Sequence, residues 1–84
     1  FPNPFNAITK IDYYLYSKGK VELILYNIEG KKIKTLKSGN QQPGYKSISW
    51  DATNKFGQPV PTGVYFLKMK VNGIIQTKKM ALLK

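Results

Sequence analysis

The chain is 84 residues long, enough for one small domain, and it contains neither cysteine nor histidine. Disulfides, thiolate metal sites, the usual zinc ligand and the commonest general base are all missing, so the composition points away from an enzyme, a metal or a cofactor. The formal net charge of +10 rests on 14 lysines without one arginine, and reading nucleic-acid bases leans on the forked guanidinium, so no nucleic-acid partner is expected.

Residues 1–6, Phe1-Pro2-Asn3-Pro4-Phe5-Asn6, read as the end of a proline-rich linker and a first edge segment. Pro2 and Pro4 donate no ladder bond and hold the chain extended, and Phe5 is expected to tuck into the domain's edge. From residue 7 to residue 84 the pattern is that of a single domain with a period of two. Ile11, Tyr13 and Leu15 alternate with Lys10, Asp12 and Tyr14, and Val21, Leu23 and Leu25 alternate with Lys20, Glu22 and Ile24. Both runs predict half-buried strands.

A short third strand is predicted at residues 33–36 and a fourth at residues 46–50, with Ile48 and Trp50 facing one way. A fifth covers residues 64–71 and a sixth residues 74–83. Ser17-Lys18-Gly19, Asn27-Ile28-Glu29-Gly30, Ser38-Gly39-Asn40, Pro43-Gly44 and Asn72-Gly73 supply turn residues between them. A type I′ loop at Asn72-Gly73 pairs Val71 with Ile74 and sets Tyr65, Leu67 and Met69 on one face with Met80 and Leu82. Gln76 and Lys78 share that face, so its middle is expected to form a rim. No window carries a helical stripe. Strands of this length and spacing predict an all-β antiparallel sandwich of six or seven strands, with Ile11, Tyr13, Leu23, Leu25, Trp50, Tyr65 and Leu67 as its core.

No apolar run approaches the ~20 residues of a membrane-spanning helix, so no membrane span is expected. A chain that begins at Phe1 rather than methionine is expected to be a piece of a longer protein, following an upstream domain. Trp50 is expected to anchor the core while Asp51 opens a turn. Asp51, Asn54 and carbonyls near Gly57 supply one carboxylate and no calcium-loop spacing, so no metal site is assigned. Tyr65, after Thr62-Gly63, fits a tyrosine corner, with its ring in the core and its hydroxyl on nearby backbone. Tyr14, Tyr16 and Tyr26 lie opposite the core-facing residues, suited to half-buried sheet packing or to stacking on sugar rings. Asp12, Glu22, Glu29 and Asp51 are the only carboxylates, and none is assigned a catalytic role.

The last residues stand apart. Lys78, Lys79, Met80, Leu82, Leu83 and Lys84 make a basic, apolar-tipped strand that runs to the end of the sequence. Lysines on an edge strand discourage edge-to-edge pairing, but apolar side chains at the tip suggest a terminus that is packed or read by a partner. They are the candidate recognition residues.

Taken in order, Phe1-Pro2-Asn3-Pro4-Phe5-Asn6, Thr9-Lys10-Ile11-Asp12-Tyr13, the run from Val21 to Gly30, Trp50-Asp51, Phe56-Gly57-Gln58-Pro59-Val60, Thr62-Gly63-Val64-Tyr65-Phe66 and Lys78 to Lys84 carry a resemblance. The chain resembles the C-terminal sorting domains of type IX secretion cargo, the class called type A. It is also similar to the immunoglobulin-like domain of flagellar hook-capping proteins. The resemblance implies an immunoglobulin- or fibronectin-like antiparallel β-sandwich of about seven strands. It further implies a secretion signal that carries an upstream cargo through the periplasm and outer membrane to the cell surface. The implied partners are the outer-membrane translocon and a sortase-like peptidase, with Lys78, Lys79, Met80, Leu82, Leu83 and Lys84 as the sorting signal. The other reading is a non-catalytic fibronectin-like accessory of a secreted enzyme, a spacer or a carbohydrate-binding module. Two residues depart from the family's pattern: Ala52 replaces a glycine after Trp-Asp, and Lys46 replaces a histidine or aromatic.

Overall fold

In the computed structural model, which describes residues 9–83, the two-residue period resolves into six strands. They are β1 (Thr9–Leu15), β2 (Gly19–Asn27), β3 (Lys32–Gln41), β4 (Gly44–Trp50), β5 (Gly63–Val71) and β6 (Ile74–Leu82). The described residues thus hold six strands rather than seven. The expected first edge segment, residues 1–6, lies outside the described residues, as does Phe5. Among the described residues there is no helix, and so none long and apolar enough to cross a membrane.

All pairings are antiparallel and form two sheets: β1 with β4, and a second in the order β3-β2-β5-β6. The β5–β6 hairpin turns on Asn72 and Gly73, whose φ angles of 50° and 85° are the two positive values a type I′ loop needs. Its register runs from Val71↔Ile74 to Gly63↔Leu82, as the Asn-Gly turn requires.

β3 departs from expectation. Ser38-Gly39-Asn40 is not a turn but the middle of a ten-residue strand, because Glu22, Val21 and Lys20 on β2 supply ladder partners for all three residues. Gly39 stays in the ladder at a φ of 144°, open to it because it has no Cβ. Local turn chemistry loses here to pairing with a neighbouring strand.

The core lies between the sheets. Ile11, Leu23, Leu25, Trp50, Tyr65 and Leu67 are buried in it, joined by Leu15, Val21, Ala52, Val60 and Leu82. Tyr13 is only half-buried, since its hydroxyl reaches out to donate to Gln41 Oε1 at 2.6 Å. Trp50 meets Tyr65 edge-to-face at 5.2 Å and donates its indole N–H to the Thr53 carbonyl at 2.8 Å. That bond satisfies the one polar atom of the largest core side chain. Ala52 keeps the left-handed conformation a glycine would favour, at a φ of 63°. The strain costs about 1–2 kcal/mol for an L-residue, partly offset by about 0.8 kcal/mol from its buried methyl.

Candidate functional site

β6 bonds to β5 along its whole length, and its other edge has no partner strand among the described residues. Alternation should bury every second side chain, yet Ile74, Ile75, Gln76, Thr77, Lys78 and Lys79 are all exposed. The cause is sheet width. The two-stranded sheet covers part of the four-stranded one and leaves the inner face of β6 open. A cleft runs between β1 and β6, whose facing edges have no partner strand among the described residues; Leu67 and Met69 floor it, and Tyr13 and Lys78 flank it.

The six candidate recognition residues do not form one patch. Lys78 and Lys79 are exposed on opposite faces of β6, with Lys78 beside the cleft. Met80 is half-buried opposite Tyr65, and Leu82 is 3% exposed, a member of the core rather than a freely readable side chain. Leu83 follows the strand at 81% exposed, and Lys84 lies outside the described residues. Neither ion pair among the described residues, Lys10–Asp12 or Lys34–Asp51, includes a lysine of β6, although Asp12 lines the same cleft as Lys78. Among the described residues, the lysines of the strand therefore make no ion pair.

A second feature occupies the outer face of the β1–β4 sheet. Tyr14 stands directly opposite Tyr45, and its ring meets those of Tyr16 and Tyr45 edge-to-face at 4.6 and 4.7 Å. Tyr26 is not part of this group. It lies on β2, in the other sheet, where the Lys68 ammonium sits 5.8 Å from its ring centre. Tyr45 escaped the sequence reading, although strand parity already set it opposite Ile48 and Trp50.

The loop after β4 closes on itself. Asp51 Oδ1 accepts from the Thr53 backbone N–H at 3.2 Å and the Thr53 hydroxyl at 2.5 Å. The Thr53 hydroxyl holds the Asp51 carboxyl below the usual carboxylate range; slight burial opposes this, and the Lys34 ammonium reinforces it. Asn54 Oδ1 accepts from the N–H groups of Phe56 and Gln58. These oxygens are engaged in building the turn, and no cluster of metal-binding side chains occurs among the described residues. Tyr65 donates to the Pro61 carbonyl at 2.6 Å with its ring in the core, the geometry of a tyrosine corner. Burial pushes the pKa of that hydroxyl up.

A family model, the FlgD Ig-like domain, matches residues 6–73. The chain belongs to this family. The match ends at the β5–β6 turn, so β6 lies beyond the part of this FlgD-type Ig-like domain that the model describes. Similar solved structures include FlgD from P. aeruginosa, with a TM-score of 0.70 at 22% identity, over 89% of this chain and 60% of that one. FlgD from Xanthomonas campestris, described with hook capping in flagellar assembly, gives 0.69 at 22% identity, over 92% of this chain and 56% of that one. Dimeric latent PorU from Porphyromonas gingivalis gives 0.71 at 25% identity, over 96% of this Ig-like domain but 8% of PorU. The domain thus spans a little over half of each FlgD and a small part of PorU. No curated protein matches the sequence.

Proposed function

We propose that this Ig-like domain is a sorting domain of the type IX system, directing an exported cargo through the outer membrane to the cell surface. The observation that carries the reading is β6: a strand exposed on both faces from Ile74 to Lys79, with no partner on its outer edge and no ion pair to its lysines among the described residues. An added strand from the translocon can hydrogen-bond to such an edge, while side chains on either face supply selectivity. Met80 and Leu82 anchor the strand in the core and hold its exposed part in place. The likeness to a segment of PorU supports the type IX link. A sortase-like peptidase acting upstream, and a non-enzymatic role for the domain itself, complete the proposal.

The test is export of a reporter fused to residues 1–84 in a type IX host. Replacing Lys78 and Lys79 with glutamate leaves the anchoring Met80 and Leu82 intact and is expected to abolish surface delivery. Unchanged delivery would remove the basic edge from the signal. Failure of the unaltered fusion to leave the periplasm would instead favour an accessory or spacer module.

A further inference from the structure

The outer face of the β1–β4 sheet has an unusual composition. Register places Lys10 beside Ser49, Asp12 beside Ser47 and Tyr14 beside Tyr45, with Tyr16 continuing the β1 column. None of these side chains is aliphatic. Tyr16 and Tyr45 are each 87% exposed, so contact with Tyr14 leaves most of both rings open to water. Exposed aromatic surface grouped in this way marks a binding face more often than a solvated one.

A cleft of about 190 Å³ adjoins Tyr14 and Tyr16, lined by the apolar Met69, Val71 and Ile74 together with Ser17, Asn72 and Gln76. Flat aromatic rings beside hydroxyl and amide groups suit a pyranose, whose C–H face stacks on a ring while its hydroxyls take hydrogen bonds. Charge narrows the choice. The chain carries +10 overall, and Lys78 flanks the continuation of the cleft. A positive domain of this kind attracts and concentrates anionic ligands.

We propose that the Tyr14–Tyr16–Tyr45 face and its adjoining cleft bind an acidic polysaccharide. Tyr16 and Tyr45 stack on sugar rings, Asn72 and Gln76 bond their hydroxyls, and Lys78 pairs with a uronate carboxylate. The inference shares Gln76 and Lys78 of β6 with the sorting reading, but its stacking tyrosines lie on β1, just after it, and on β4, so the tyrosine pair tests it without touching the basic strand.

Affinity electrophoresis of the 84-residue chain at about 0.15 M salt tests it, with polygalacturonate in one gel and neutral hydroxyethyl cellulose in another. Polygalacturonate is expected to retard the chain, and the double variant Tyr16→Ala/Tyr45→Ala to weaken binding at least about tenfold. Lys31→Gln/Lys32→Gln, at the far end of β2 from the tyrosines, removes two positive charges from a remote place and is expected to change binding less than about twofold. No retardation, or equal retardation by the neutral polymer, would overturn the proposal. So would loss of binding in the lysine pair with the tyrosine pair indifferent, since diffuse charge would then be the whole effect. Both tyrosines are exposed, and an unchanged melting temperature confirms that the double variant folds.

Discussion

β5 and β6 are nine-residue strands joined by two residues and hydrogen-bonded to each other throughout, yet their surroundings differ sharply. β5 lies between β2 and β6 and buries Tyr65 and Leu67 under the smaller sheet. β6 has the same ladder on one side, and its first six side chains are all exposed among the described residues. Backbone pairing places a strand, but burial of side chains decides whether that strand holds the fold together. One hairpin here serves both ends: β5 contributes to the core, and β6 is carried on it as a presented edge. Among the described residues, only Met80 and Leu82, at its far end, tie β6 to the interior.

The sharpest way to break this contrast uses a cross-strand pair. Leu67 and Lys78 face each other in the ladder, one 5% exposed and the other exposed beside the cleft. Leu67→Ala is expected to cost about 2–5 kcal/mol, the lost transfer energy plus the cavity. Lys78→Ala should stay within about 0.5 kcal/mol, as surface substitutions do. Chemical denaturation of both variants decides. Comparable losses would mean that the inner face of β6 is packed after all.

A smaller effect is expected at the turn that joins the two strands. Gly73 sits at a φ of 85°, where a Cβ meets no neighbouring atom but the backbone itself is unfavourable for an L-residue. Gly73→Ala is therefore expected to cost about 1–2 kcal/mol from conformational strain alone. Loss beyond that range in a thermal melt would show that β6 supports the fold more than its exposure implies.

These same strands show how far the sequence could be read. Period-two alternation in β1, β2 and β5, together with Asn72-Gly73, was enough to place Ile11, Leu23, Leu25 and Leu67 inside and to set the hairpin register. These are local patterns with one physical meaning. The continuation of β3 through Ser38-Gly39-Asn40 was hidden, because its ladder partners Glu22, Val21 and Lys20 lie far back in the chain. The exposed middle of β6 was legible from Gln76 and Lys78, but the exposure of Ile74 and Ile75 was hidden, since it depends on the width of a sheet to which β6 does not belong. Leu82 shows the limit most clearly. An apolar residue in a terminal strand fits burial or recognition, and only the tertiary structure puts it in the core. Tyr45 needed the β1–β4 register before it could be grouped with Tyr14.

The smallest expected effect concerns Tyr65, which faces Met80 where β6 passes from exposed to packed. Tyr65→Phe keeps the ring against Trp50 and removes the hydroxyl that bonds to the Pro61 carbonyl, a loss of about 1 kcal/mol near neutral pH. The pH dependence gives a second readout. Burial raises the folded pKa of the hydroxyl, so the folded state holds that proton while an unfolded tyrosine releases it above about pH 10. The contribution is fully present below that pH and is lost as pH rises through the folded value. Every other ionisable group is common to both proteins, so only the parent carries this additional loss. The variant's stability should therefore fall less steeply above about pH 10. Parallel curves for variant and parent would mean that Tyr65 is wetter than its position implies, and that the packed end of β6 is looser than Leu82 suggests.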